Sequence, residues 1–431
     1  MIRFGSRLSY RAQVSLGLFG LLLSIFACSP VVTSYDSRWS IHTAMSFGRG
    51  HAGALTEYLP LVEKENFYAI EYPDGRPRTI FPIGASLLAM PAVIVFSWLN
   101  PHFVEDLQTR IPERTEKFIA SMIGAAAAVV FFWVIFSQFQ NAAIALASTL
   151  IFAFCTSMWS TATRALWQHG PLVLMLVIAM LLLGRARHRP GLVQYVSLPL
   201  AMAYLMRPTA IVPIVVLTIY TLYSHREWFL RYMCWAMVIA VPWIAFNVAI
   251  YKALLPQYYL TAAFSSSTRF SEGLLGNLIS PSRGLFVFSP ILLFAFSGFW
   301  LALREPSQRS LHISYGVIVV GLTIAIGSAS KWWAGHAFGP RLTTDLVPFL
   351  VYFTAFNFRL PAGIGGRTRT AVFSCMAILA LASMVIHAQG ALRERTLFWN
   401  TIPRNIDEDP SRVWDWADPQ FAPRLVPAKM S

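Results

Sequence analysis

Charge is what this sequence has least of. Asp, Glu, Lys and Arg make up 13% of the 431 residues, about half the roughly 25% of a soluble domain. With 56% hydrophobic residues and a mean hydropathy of +0.55, the composition excludes a soluble globular chain and makes lipid the solvent. Cysteine is scarce too. Cys28, Cys155, Cys234 and Cys375 all lie in apolar runs, and no two form a CxxC pair. That excludes a disulfide framework and a zinc site, and the four read as small buried hydrophobes. Internal repeats, low-complexity tracts and a nucleotide-binding loop are missing. So are ionisable residues deep inside the apolar runs. A charge at mid-bilayer costs about 2.5–3.5 kcal/mol and is kept where ion coupling needs it. Its absence argues against a proton- or sodium-coupled transporter and leaves a lipid flippase open.

What is present is a long series of apolar runs. They fall at 12–32, 118–136, 142–160, 165–184, 191–206, 210–224, 232–251, 284–303, 310–328, 343–358 and 370–388. The expectation is an all-α polytopic integral membrane protein with about eleven transmembrane helices. The first run follows Arg3, Arg7 and Arg11 and imitates a signal peptide, with a lipoprotein-like box at Cys28. Its length of about 20 residues suits an uncleaved first span. A twelfth run, 80–99, contains Pro82 and Pro91. Basic loops belong in the cytoplasm, which places both the N-terminus and Arg185, Arg187 and Arg189 inside. An even number of crossings must separate them, so 80–99 is expected at the outer interface, as a re-entrant or surface helix. The inner loops then hold thirteen basic residues and two acids, Glu227 and Glu305. The inner side carries +11 of the formal +14 and the outer side +3. Topology accounts for most of the positive charge, and no nucleic-acid partner is needed. Two parts follow: a transmembrane unit over 1–388, whose first outer loop is 33–117 with interfacial helices, and a short outer tail over 389–431. The tail's 43 residues are too few for a further large domain. The outer loops are long and the inner ones short, which suggests a site on the outer face.

Polar residues collect at the outer helix ends in five clusters. SYDSRW, 34–39, carries Asp36, which reads either as a general base or as an N-cap of the helix that follows. WSTATRALWQHGP, 159–171, carries Arg164, Trp167 and His169. MRPT, 206–209, carries Arg207. SPSRGLFVFSP, 280–290, carries Arg283. SKWWAGHAFGPRLTTD, 330–345, carries Lys331, His336 and Arg341. Arg, Lys and His brought to one depth suit an anionic headgroup, and Arg holds phosphate through two parallel hydrogen bonds. Interfacial anchoring explains each residue singly, so both readings stand at this point. Trp332 and Trp333 read as interfacial belt residues, with sugar stacking as the alternative.

This pattern resembles the GT-C membrane glycosyltransferases, near the protein mannosyltransferases and the lipid A aminoarabinose transferases. The resemblance is carried by an N-in first helix, an outer loop opening with the acid of SYDSRW and a Pro-containing interfacial segment, FPIGASLLAMPAV, 81–93. The Arg-bearing turn TATRALWQHGP and the basic helix end MRPT complete it. It implies transfer of a sugar from a polyprenyl-phosphate carrier to an acceptor hydroxyl outside the cytoplasm, at the bacterial inner membrane. By the same resemblance Asp36 is the catalytic base, and Arg164, His169, Arg207, Arg283, Lys331, His336 and Arg341 are donor-phosphate candidates. The family often has Asp-Glu where Ser37 follows Asp36 here. Glu57, Glu71 or Asp74 are the candidate substitutes for that second acid. No cofactor and no dedicated metal site are expected, although Asp36 with loop acids would hold a divalent ion weakly. The expected partners are the lipid-linked donor, membrane lipids and an acceptor lipid, glycan or protein. A lipid-linked-sugar flippase and a non-catalytic envelope-assembly subunit are the rival classes. Both would do without a base at Asp36.

Overall fold

The computed structural model describes residues 10–264, 270–361 and 363–425. Arg3 and Arg7, on which the inside placement of the N-terminus partly rests, lie outside the described residues, as do the last six residues of the tail. The chain runs α1 (Tyr10–Cys28), α2 (Ser40–Gly48), α3 (Leu59–Glu65), α4 (Gly84–Leu99), α5 (His102–Thr109), α6 (Glu113–Phe139), α7 (Ala142–Phe154), α8 (His169–Ala186), α9 (Ser197–Met206) and α10 (Ile211–Ser224). It continues through α11 (Phe229–Tyr251), α12 (Gln257–Phe264), α13 (Phe270–Ile279), the short α14 (Leu285–Phe288), α15 (Phe294–Ala302), α16 (Arg309–Gly327), α17 (Val347–Ala355), α18 (Gly366–Leu392) and the short α19 (Arg395–Phe398). Among the described residues the only sheet is a two-stranded ribbon in the first loop, pairing Ile70 with Thr79 and Glu71 with Arg78.

Each of the eleven expected runs is helical. Six helices are long and apolar enough to cross a membrane: α1, α6, α8, Arg226–Tyr251, Pro306–Gly327 and α18. The other five runs form shorter apolar helices, Ala142–Phe154, Pro190–Met206, Pro208–Ser224, Pro290–Ala302 and Leu342–Phe358. Several of these open on proline, which lacks the N–H a continuing helix would need and so starts a new one. At 1.5 Å per residue α6 is about 40 Å long. It is the centre of the bundle because it is small-sided: Ala125, Ala127 and Ala128 are fully buried. Small residues let helix backbones approach where lipid offers no hydrophobic drive for association. At the rim, Val238 and Val241 of α11 and Ile378 and Leu381 of α18 stay exposed, as lipid-facing side chains do. Three of the four cysteines share that rim; only Cys155 is buried. Hydropathy alone does not separate a lipid-facing position from a core one, so the expectation of four buried cysteines fails.

The first loop leaves and returns at the same end of the bundle. The hydroxyls of Ser34 and Ser37, just past α1, donate to the carboxylate of Glu116 in the first turn of α6. Between them, α4 and α5 meet at an angle of 117°, where Asn100-Pro101 breaks the helix. Leu107 of α5 comes back to α2, its carbonyl oxygen 2.9 Å from His42 Nε2. Gly84 opens α4 against the Leu205 carbonyl, where any Cβ would sit 2.6 Å from backbone. At the far end, Gln138 donates to Glu305 at 2.7 Å, and the Trp228 ring covers Gly191. The uncharged 137–141 turn therefore shares an end with the 303–309 turn.

Candidate active site

Asp36 sits in a turn held from below by one buried carboxylate. Glu116 is fully buried, and besides Ser34 and Ser37 it accepts the Leu166 backbone N–H at 2.9 Å. It thus ties the Asp36 turn to the chain leading into α8. An acid at a helix N-terminus is also favoured by the helix dipole. Asp36 itself caps nothing: α2 begins after Trp39 with no side-chain cap. Its Oδ2 instead meets an Arg341 guanidinium nitrogen at 2.6 Å, and its Oδ1 accepts the Tyr68 hydroxyl at 3.1 Å. Burial and the neighbouring Asp36 push the Tyr68 phenol above its usual pKa, so it remains a donor.

Arg341 lies flat over Trp167, its Cζ 3.3 Å from the ring centroid. A guanidinium on an indole face gains cation–π energy, more when water is excluded. Burial lowers the pKa of Arg341 and Asp36 opposes that. Its Nε has no protein partner, and its remaining bond to the Ala334 carbonyl is long at 3.5 Å. One arm of the fork is therefore engaged by Asp36, while the buried Nε is left without a protein partner.

A second group gathers around Asp345, which the sequence reading passed over. Its carboxylate, fully buried, lies 3.0 Å from His169 Nδ1, accepts Arg207 at 2.7 Å and accepts the Thr209 hydroxyl at 3.2 Å. His169 and Arg207, 38 residues apart, are thereby fixed side by side. A lone acid opening an apolar run is a costly residue in need of a partner, and that signal was present in GPRLTTD.

These groups line one cavity of about 400 Å³, with Tyr35, Tyr68, Gln168, Tyr258, Lys331, His336 and Asp407. A smaller pocket adjoins it, bounded by Asp36, Ser40, Phe81, Pro82 and Ala85. The Pro-containing segment read from sequence therefore does reach the site. Further along α4 lies an apolar groove of about 540 Å³ between α1, α4, α6 and α8, lined by Phe19, Leu88, Phe96, Met122 and Leu174.

Two of the expected phosphate residues lie elsewhere. Arg164 is fully buried, donating to the carbonyls of Phe26 at 2.7 Å and Ser29 at 3.1 Å. It satisfies acceptors that the end of α1 leaves open, and Lys117 does the same for Ala27 and Ser29. Arg283 is equally buried. It donates to the carbonyls of Trp333 at 2.6 Å and Gly335 at 3.1 Å and to Asn400 at 2.9 Å, and it also reaches Gln420. Its guanidinium binds the 331–341 loop to the tail and is spent there. Sequence position gave both residues the right depth, but their donors are taken by the protein. The candidate second acids are also remote. Glu57 pairs with Arg49 and His51, Glu71 with Tyr251, and Asp74 with Arg78. Lys331 and His336 do line the cavity. Trp332 is buried against the tail rather than in a lipid belt.

No family model and no curated protein matches the chain. The solved structures do. ArnT from Cupriavidus metallidurans bound to undecaprenyl phosphate superposes with a TM-score of 0.55 at 15% identity, over 90% of this chain and 71% of that one. The apo form of the same protein gives 0.56 at 16%, over 88% of this chain and 63% of that one. The chain thus shares the fold of ArnT, in keeping with the resemblance read from the sequence.

Proposed function

We propose that this chain is an inverting glycosyltransferase that moves a sugar from a polyprenyl-phosphate carrier to an acceptor hydroxyl at the extracytoplasmic face of the bacterial inner membrane. One observation carries the reading: Asp36 and Arg341, a carboxylate and a guanidinium, share a cavity, and an apolar groove lies further along α4, whose start borders the adjoining pocket. A lipid-borne phosphate needs all three features. The similar ArnT was solved with undecaprenyl phosphate, which makes a carrier of that chemistry the natural donor.

The residues divide the work as follows. Arg341 and Arg207 hold the phosphate, whose charge grows as the bond to the anomeric carbon breaks; fixed donors aimed at developing charge are the strongest single catalytic device. The acceptor oxygen attacks the opposite face of that carbon, which inverts it. The acceptor proton passes to Asp36, and polyprenyl phosphate leaves. Arg341 touches both functions. A phosphate that draws its guanidinium away loosens its hold on Asp36 and frees the carboxylate for the acceptor proton. Asp345 and His169 keep Arg207 in place. No cofactor or metal is required by this scheme. The same reading carries eleven crossings, a cytoplasmic N-terminus and an outer C-terminal tail. It treats 1–388 as the catalytic membrane body and 389–431 as an appendage on the outer face. The acceptor is a lipid, glycan or protein.

Asp36→Asn tests it. Asn removes the basicity and keeps the size, and Asp36 caps no helix that the change would disturb. In membranes supplied with polyprenyl-phosphate sugar at matched protein level, transfer should fall about 10²–10⁴-fold while carrier binding persists. A wild-type rate would mean that Asp36 is not the base, and would return a flippase to the front.

A further inference from the structure

The walls of the cavity differ in kind. At Asp345 the carboxylate and His169 are buried and committed to each other, while Arg207 beside them is partly exposed and lines the cavity. Where the 329–336 loop meets the tail, the groups are held in place yet open. Asp407 Oδ1 accepts the Trp333 indole N–H at 2.9 Å, which fixes the carboxylate and leaves Oδ2 toward the cavity. Lys331 Nζ is 3.9 Å from that oxygen, with the two side chains 70% and 36% exposed. An exposed pair at such a distance is worth little, so both groups are available to a ligand. His336 is oriented by Asn405 Oδ1 at 2.9 Å, and its ring stacks on Tyr35 with centroids 6.2 Å apart and planes 27° from parallel.

The support behind these groups is rigid. Trp332 is buried with Trp399, Ile406 and Val413 of the tail. Arg283 bridges the loop carbonyls to Asn400 of the tail. Gln420 donates to the Ala337 carbonyl at 2.8 Å and accepts the Gly339 N–H at 2.9 Å. A site whose first contacts are locked by a second layer is preorganised, and binding then orders little that was free.

A carboxylate, an ammonium and a stacked aromatic face suit a polyhydroxylated ring. The carboxylate accepts hydroxyl protons, the ammonium donates to a hydroxyl oxygen, and the flat rings cover the C–H face. A phosphate would be repelled here by Asp407. We infer that Lys331, His336, Asp407 and Tyr35 form a saccharide subsite on the tail side of the cavity, and that it holds the pentose or hexose carried by the donor. Lys331 and His336 thereby leave the phosphate set, which contracts to Arg207 and Arg341. Tyr35 precedes Asp36, so the ring lies beside the base. The inference rests on the glycosyltransferase reading and assigns its specificity to the tail.

The test compares carriers that differ only in the sugar. The purified full chain is titrated with undecaprenyl phosphate and with a panel of undecaprenyl-phosphate pentoses and hexoses. At least one sugar should tighten wild-type binding by about tenfold or more, the scale of a hydrogen bond to a charged group. Asp407→Asn keeps the acceptor for Trp333 and should reduce that gain to within about threefold, leaving the bare carrier's affinity unchanged. Lys331→Met should act likewise, while Arg207→Ala should weaken both ligands. A sugar gain that survives both Asp407→Asn and Lys331→Met overturns the subsite, as does a wild-type protein that gains nothing from any sugar. A gain that appears only when a free saccharide acceptor is added to the carrier would overturn the donor assignment. Failure of the bare carrier to bind would count against the glycosyltransferase reading instead.

Discussion

Two arginines at neighbouring helix ends have opposite fates in this molecule: Arg164 is fully buried and Arg207 is partly exposed. Arg164 gives its donors to carbonyls at the end of α1. Arg207 gives one to Asp345 and still lines the cavity. Their variants should separate cleanly. Arg207→Lys keeps a cation beside the buried Asp345 carboxylate, so the folded yield should stay close to wild type, while loss of the forked donor should weaken carrier binding by at least about tenfold, a charge-assisted bond to an anion contributing about 1.5–3 kcal/mol. Arg164→Ala should do the reverse. It strands buried carbonyls at about 1–3 kcal/mol, so the melting temperature in detergent falls while the surviving protein binds carrier normally. Titration of both variants beside thermal unfolding decides it; equal loss of carrier affinity in the two would restore Arg164 to the site. At this scale the sequence was informative only in part. Asp36 stood out as a lone acid after the first helix, and Arg207 and Arg341 as basic residues at helix ends. Glu116 did not, because its meaning comes from Ser34 and Ser37, and those contacts span 82 and 79 residues.

Among the elements, the 329–341 loop depends on a contact that reads as nothing in the sequence. Gly276 of α13 faces the Trp332 ring so closely that a Cβ would lie 2.1 Å from it. The indole fills the space a side chain would take, and the loop carrying Lys331, His336 and Arg341 is seated by it. Gly276→Ala should therefore unseat the loop. Overpacking of this kind costs about 1–3 kcal/mol, and transfer activity should drop with it. Trp332→Leu in the same chain should recover a large part of the stability, because the smaller side chain gives the new methyl room. If Gly276→Ala alone melts and transfers like wild type, the ring does not hold the loop. The tail shows the same limit. Its length suggested only a short appendage. Yet Asn405, Asp407 and Gln420 each bond a residue of the 331–341 loop. Pairing between segments about 70 residues apart leaves no local periodicity to read.

Over the whole molecule, the charge pattern and the three-dimensional path agree on which turns share an end. Asp36, His169, Arg207 and Arg341 come from four separate segments at the ends of apolar runs and meet in one cavity. The turns at 137–141 and 303–309 meet through Gln138 and Glu305, and Trp228 covers Gly191. The apolar runs and their alternation were legible because lipid imposes a strong length and charge rule. The shortness of five of the helices was not, since it arises where prolines and 3-10 turns interrupt a run whose hydropathy continues. Which end faces the cytoplasm is the remaining step, and the basic turns predict it. Arg185, Arg187 and Arg189, Arg226 and Arg231, and Arg304 and Arg309 all lie within reach of span ends, where Lys and Arg determine orientation. Reporters fused after residues 188, 226 and 305 should therefore be active only when cytoplasmic. Those fused after 255, 335 and 405 should be active only when exported. The first loop gives the sharpest arm, because it is where the parity argument is exposed. A single-cysteine label at 74 and one at 105 should both react from outside, because 80–109 turns back on itself rather than crossing. Labelling of 105 from the cytoplasm alone would make α4 a full span. It would add one crossing, invert every later turn and place Asp36 and Arg341 on opposite sides of the membrane. Their 2.6 Å ion pair forbids that, so the two labels are expected to report the same side.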